Sequence, residues 1–204
     1  MYVKICGLST PATLAAAVAA GADAVGFVFA PGSPRTITPE IAAPLVAAAG
    51  PSVETVGVFR DQPIEEVLAL ARAAGVSTVQ LHGREDDAAH LRVIEAGFAG
   101  LRAFSAEDYL RLSPERIARW ATRRILLDAV RPGAGETFDA ALLEEARPAG
   151  FWLLAGGLTP ANVAGLVARL RPSGVDVSSG VESSRGVKSA RLITEFVTAA
   201  RAGA

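Results

Sequence analysis

Short apolar runs rich in Val, Ile, Leu and Phe recur along this chain at residues 2–6, 24–29, 54–59, 78–82, 101–104, 124–128, 151–155 and 175–178. Alanine-rich or charged stretches with helical spacing separate and follow them, at 10–20, 39–49, 63–74, 86–96, 113–121, 139–146, 160–170 and 189–201. Strands that alternate with helices build a parallel sheet, and eight such pairs are the count of a (β/α)8, or TIM, barrel. An open doubly wound sheet uses the same alternation. At 204 residues the closed barrel is near its minimum size, with short loops, and it is the expected fold: a single α/β domain over 1–204. Thr38-Pro39, Ser113-Pro114 and Thr159-Pro160 each set a capping residue before proline at a first helical position, and glycines 21, 50, 75 and 97 stand where helices should stop.

Composition narrows the function classes. Half of the residues are hydrophobic and 20% charged, enough for a sizeable core. Twenty Lys and Arg against 21 Asp and Glu leave a net charge of −1, so no basic footprint points to nucleic acid. One cysteine excludes an intramolecular disulfide, and with two histidines that lack zincin spacing no metal is expected. The N-terminus has no basic start followed by an apolar run, and no apolar stretch reaches membrane-spanning length. The expectation is a soluble cytoplasmic protein, monomer or homodimer, without membrane contact.

Strand parity says more. Alternate residues of a barrel strand face the interior and the helices. If the apolar parity meets the helices, Lys4, Cys6, Gln80, His82, Arg102, Asp128, Asp176 and Ser178 point inward. Each has a plain explanation: a lone cysteine is often a small buried hydrophobe, a histidine a hydrogen-bonded structural residue, Asp128 a helix cap or the partner of Lys4 or Arg102. Convergence is harder to explain that way. Buried polar groups are costly, and several of these lie at the carboxyl ends of strands, where barrel enzymes keep their sites. In "LLAGGLTPANV", Gly156 and Gly157 follow the seventh strand; in "VDVSSGVE", Ser178, Ser179 and Gly180 follow the eighth. Loops at those two positions often cradle a phosphate through backbone N–H groups, so a phosphorylated small molecule is the expected ligand. Gly180→Val is expected to abolish phosphate-ester binding while leaving the fold largely intact.

Read in order, "KICGL", "GFVFAPGSPRTI", "VGVF", "VQLHG", "LLDA", "LAGGLTPANV", "VDVSSGVE" and "GVKS" resemble the phosphoribosylanthranilate isomerase family of tryptophan biosynthesis, over nearly the whole chain. The resemblance implies an eight-stranded barrel, no cofactor, and an Amadori rearrangement of a phosphorylated aminosugar, N-(5-phosphoribosyl)anthranilate, to a 1-deoxyketose. It implies Cys6 as general base, Asp128 as general acid and Arg35 as the anthranilate-carboxylate contact. Gly156, Gly157, Ser179 and Gly180 would hold the phosphate, and His82 and Asp176 complete the expected substrate contacts. The acid would protonate the ring oxygen as the furanose opens to a Schiff base, and the thiolate would then take the C2 proton. Lys4, two residues before Cys6 on the same face, either tunes the thiol or pairs with Asp176. One segment departs from the family: "VRPGAGETFDAAL" carries Pro132 and Ala134 among its glycines and lacks the usual tryptophan. Two rivals stand beside this reading. A histidine-pathway aminoaldose isomerase would carry an aspartate on the first strand and show half-barrel repetition. A non-catalytic phosphate binder would have no need of Cys6 with Asp128.

Overall fold

The computed structural model of the chain describes residues 1–128, 143–144 and 147–204. Eight strands close into a barrel in sequence order: β1 Tyr2–Cys6, β2 Ala24–Val28, β3 Glu54–Phe59, β4 Thr78–Leu81, β5 Ala99–Ser105, β6 Ile125–Asp128, β7 Trp152–Ala155 and β8 Gly174–Val177. Each is parallel to its neighbours, and β8 returns to β1 with Lys4 opposite Asp176. The described helices are α1 Pro11–Ala19, α2 Pro39–Ala49, α3 Ile64–Ala74, α4 Asp87–Glu95, α5 Ala106–Leu110, α6 Pro114–Trp120, α7 Val163–Leu170 and α8 Ala190–Ala202. The helix expected at 139–146 and the "VRPGAGETFDAAL" segment lie, apart from Leu143 and Glu144, outside the described residues.

Helix ends follow local chemistry. Ser113 Oγ accepts from Arg116 N at the start of α6, and Gly75, with φ 72°, ends α3 by donating to the Ala71 and Arg72 carbonyls. The seventh helix begins later than Thr159-Pro160 suggests. Asn162 Oδ1 accepts from Thr159 N at 2.8 Å and its Nδ2 donates to Gly157 O at 3.0 Å, so a turn tied back to the β7 loop precedes Val163. The strand expected at 101–104 extends to Ala99–Ser105, because Ala99 pairs with Thr78 and Ser105 with Asp128. Strand length is set by ladder partners as much as by apolar content. Helix α5 lies outside the expected helical stretches, although Ser105 followed three residues later by Asp108 is a capping signature: Ser105 Oγ accepts from Asp108 N at 3.0 Å.

Two apolar layers result. Between barrel and helices, Val3, Ile5, Val25, Phe27, Leu127 and Val175 pack with Leu14, Leu45, Val67, Val167 and Phe196. Inside the barrel, Leu101, Ala103, Leu126, Leu153 and Ala155 form a separate cluster. That cluster corrects the parity of β5. Leu101 and Ala103 face inward, and Arg102 faces outward with Phe104, its guanidinium 4.9 Å from that ring. Arg102 donates to the carbonyls of Leu81, Gly83 and Glu85 at 2.8, 2.8 and 3.0 Å and pairs with Glu85. Acceptors at the end of β4 and on the loop after it satisfy the terminal guanidinium nitrogens and let an arginine occupy the apolar side of the strand. The amino end of the barrel is closed by Tyr2, Glu54, Thr78 and Arg124, with Arg124 donating to both Glu54 oxygens at 2.6 and 2.9 Å. Burial raises the Glu54 carboxyl, and the bonds from Arg124, Thr78 and Tyr2 more than reverse this, bringing it to about 2.

Candidate active site

At the carboxyl end of β1, Cys6 faces the barrel mouth and is 6% exposed. Gly26 on β2 makes the room: a Cβ there would stand 2.9 Å from Cys6 Sγ and 3.2 Å from Lys4 Nζ. One layer deeper, Lys4 is fully buried and its Nζ lies 2.8 Å from Asp176 Oδ1. Lys4 thus pairs with Asp176, and its charge beside Cys6 also favours the thiolate. Burial is the largest influence on Cys6 and pushes the thiol up; Lys4 opposes, Asp176 reinforces, Lys188 opposes, and the net shift is upward. Lys4 is drawn down by burial but carried above its ordinary value by Asp176 and Cys6.

Across the mouth, Asp128 ends β6 and its Oδ2 lies 3.4 Å from His82 Nε2, each side chain about one-third exposed at 33% and 32%. His82 follows β4, and its Nδ1 is 2.7 Å from Gln80 Nε2, inside the barrel. The polar residues of β4 thus form a chain that ends on the β6 carboxylate.

The two glycine loops meet over the third sector. Gly156 and Gly157 turn the chain after β7 with φ of 89° and 61°. After β8, Ser178 Oγ donates to Cys6 O at 3.2 Å and a short 3-10 turn spans Ser179–Val181, with Ser179 exposed. A Cβ on Gly180 would come within 1.8 Å of the Leu158 carbonyl oxygen. The expectation that a side chain at 180 would spare the fold is therefore overturned: it collides with backbone of the neighbouring loop before it reaches any ligand.

Arg35 extends over Gly7, whose absent Cβ would meet Arg35 Cδ at 2.7 Å. Its Nε and one terminal nitrogen donate to the two Glu182 oxygens at 2.6 and 3.0 Å. Glu182 opens a small hairpin, β9 Glu182–Ser184 and β10 Val187–Lys188, and its carboxylate also accepts from Lys188 Nζ at 2.8 Å and Gly186 N at 2.9 Å. Burial raises the Glu182 carboxyl, and these donors together hold it at about 2. Glu182 and Lys188 stood inside the quoted motifs but received no role there, because strand parity stops at the end of β8.

The site therefore gathers Cys6, Asp128, His82, Arg35 and both glycine loops at one end of the barrel. Asp176 sits beneath them, 6% exposed, as the partner of Lys4. A carboxylate and a thiol at the ends of well-separated strands, beside an arginine and two backbone-rich loops, suit proton transfer on a small anionic molecule.

Known proteins carry the same arrangement of sequence and fold. Residues 3–199 match the family model described as N-(5'phosphoribosyl)anthranilate (PRA) isomerase. An N-(5'-phosphoribosyl)anthranilate isomerase of Deinococcus radiodurans is 41% identical over 201 residues, covering 98% of this chain and 96% of that protein. The crystal structure of TrpF from Jonesia denitrificans is 46% identical with a TM-score of 0.86, over 98% of this chain and 97% of that one. The phosphoribosyl anthranilate isomerase of Thermotoga maritima is 38% identical with a TM-score of 0.88, over 98% of both chains. A further isomerase of this kind, solved with reduced 1-(o-carboxyphenylamino)-1-deoxyribulose 5-phosphate, is 36% identical with a TM-score of 0.85, over 98% of both chains. With most of its length matched by that model and by relatives above 30% identity, this chain belongs to the N-(5'-phosphoribosyl)anthranilate isomerase family.

Proposed function

We propose that this chain, one barrel domain over residues 1–204, catalyses the Amadori rearrangement of N-(5-phosphoribosyl)anthranilate to 1-(2-carboxyphenylamino)-1-deoxyribulose 5-phosphate, the isomerase step of tryptophan biosynthesis. The observation that carries the reading is the pairing of a buried cysteine at the end of β1 with an aspartate at the end of β6, both facing one mouth. Asp128 gives a proton to the furanose ring oxygen, the C1–O bond breaks, and the nitrogen lone pair closes the Schiff base. Cys6 as thiolate removes the C2 proton; the enolamine formed then tautomerises, returning a proton to C1, so atoms and charge balance. His82 holds Asp128 in place, Arg35 takes the anthranilate carboxylate, and the loops carrying Gly156, Gly157, Ser179 and Gly180 hold the phosphate. Asp176 acts through Lys4, fixing the ammonium beside the thiol.

The test is turnover of N-(5-phosphoribosyl)anthranilate with the histidine-pathway aminoaldose assayed in parallel. Cys6→Ala and Asp128→Asn should each lose about 10²–10⁴-fold in rate while product binding persists. Turnover of the histidine-pathway compound alone, or near-parental turnover in folded Cys6→Ala, overturns the reading. We place the reaction in the cytoplasm, with no nucleic-acid partner. No described helix is long and apolar enough to cross a membrane. A relative from Thermotoga maritima is described as dimeric, and light scattering distinguishes monomer from homodimer here.

A further inference from the structure

The hairpin after β8 places charge where the reaction needs it. Lys188 has a side chain only 1% exposed, yet its Nζ meets three acceptors: Ser178 O at 2.8 Å, Ser178 Oγ at 3.1 Å and Glu182 Oε1 at 2.8 Å. Three acceptors match the three protons of an ammonium. Ser178 Oγ in turn donates to Cys6 O, and a Cβ on Gly7 would stand 3.4 Å from Lys188 Nζ, so the ammonium lies beside the Cys6–Gly7 backbone. Glu182, which anchors Lys188, also holds Arg35 by its Nε edge. That edge is the side-on face of the guanidinium. The end-on face, which includes NH1, is left toward other acceptors.

We infer that Lys188 is a positioning residue of the reaction: fixed by Glu182 and Ser178, its ammonium favours the Cys6 thiolate and links the base to the arginine that orients substrate. The inference rests on the proposed isomerase function for its meaning, although not for its test. Among the described residues the charged groups acting on the thiol are Lys4 on β1, Asp176 on β8 and Lys188 on β10, and Lys188 in turn meets Glu182, which holds Arg35. Lys188 and Lys4 favour the thiolate, and Asp176 opposes it. Burial draws Lys188 itself down, and Glu182 and Cys6 oppose that shift. A purely structural lysine would bind the hairpin in place and leave the thiol indifferent to its charge.

Because Cys6 is the only cysteine in the chain, its titration can be read without substrate, from the pH dependence of alkylation by iodoacetamide. In Lys188→Met the alkylation midpoint should rise by about one pH unit, as loss of a nearby opposite charge requires. At pH 7 kcat/KM should fall about tenfold, in step with that shift. Lys188→Arg should restore both. The sign separates the two roles: loosening of the hairpin would admit water to a thiol that burial holds high, and would lower the midpoint instead. An unchanged or lowered midpoint in folded Lys188→Met overturns the inference. A raised midpoint in a protein that does not turn over the aminosugar leaves the inference standing and overturns the function proposed above.

Discussion

The buried Lys4–Asp176 pair yields a prediction in which stability and reactivity move in opposite directions. Lys4 has no solvent exposure, and its ammonium has one carboxylate partner, at 2.8 Å. In Asp176→Asn the side-chain oxygen still accepts a hydrogen bond, but the buried ammonium loses its counter-charge. Removing one partner of a buried pair costs roughly 3–5 kcal/mol, and the retained hydrogen bond puts this substitution near the lower end. At about 2–4 °C per kcal/mol for a chain of this size, the melting midpoint should fall by about 6–12 °C. Against a total stability of about 5–15 kcal/mol the variant should remain folded at 25 °C. The thiol responds the other way. Asp176 is one of the influences that raise Cys6, so without it Lys4 serves the thiolate alone and the alkylation midpoint falls. Calorimetric melting at pH 7 beside pH-resolved alkylation reads both effects in one preparation. The double variant Lys4→Met/Asp176→Leu should regain most of the lost stability, because a well-packed apolar pair replaces an ion pair at little or no cost. It should not regain turnover. A melting point for Asp176→Asn within about 2 °C of the parent, or a raised alkylation midpoint, refutes the reasoning.

Two further outcomes follow from the geometry. Because burial holds the Cys6 thiol above its ordinary value, the rate of alkylation of Cys6 by iodoacetamide should climb from neutral pH into the alkaline range, tracking the thiolate fraction; a plateau already reached at pH 7 would contradict this. Gly180→Ala should lose about 1–3 kcal/mol of stability, since its Cβ overlaps the Leu158 carbonyl, and should raise KM for the phosphate ester; parental melting with altered KM would show that the loops part without strain.

The alternation of apolar runs and helical stretches was legible in the sequence because each element carries its own period and its own start and stop residues. Parity placed Lys4, Cys6, Gln80, Asp128 and Asp176 correctly, for the same local reason: on a regular strand, side chains alternate whatever surrounds them. Arg102 shows where that logic ends. An outward arginine on β5 is tolerable only because the end of β4 and the loop after it offer the carbonyls of Leu81, Gly83 and Glu85 and the Glu85 carboxylate, acceptors some twenty positions earlier in the chain. Gly180 is a second case. Its glycine is required by the Leu158 carbonyl on a different loop, and no local pattern records that approach. The partners of Cys6 divide in the same way. Lys4 is two residues away and readable from the strand, whereas Lys188 comes beside the Cys6–Gly7 backbone only after the chain has closed the barrel and folded the hairpin that follows β8. Sequence by itself determined the periodic elements and the residues that face inward, because these depend on neighbours in the chain. Tertiary structure alone decided which charges meet, because distances between β1, β8 and the hairpin exist only once the sheet has closed on itself.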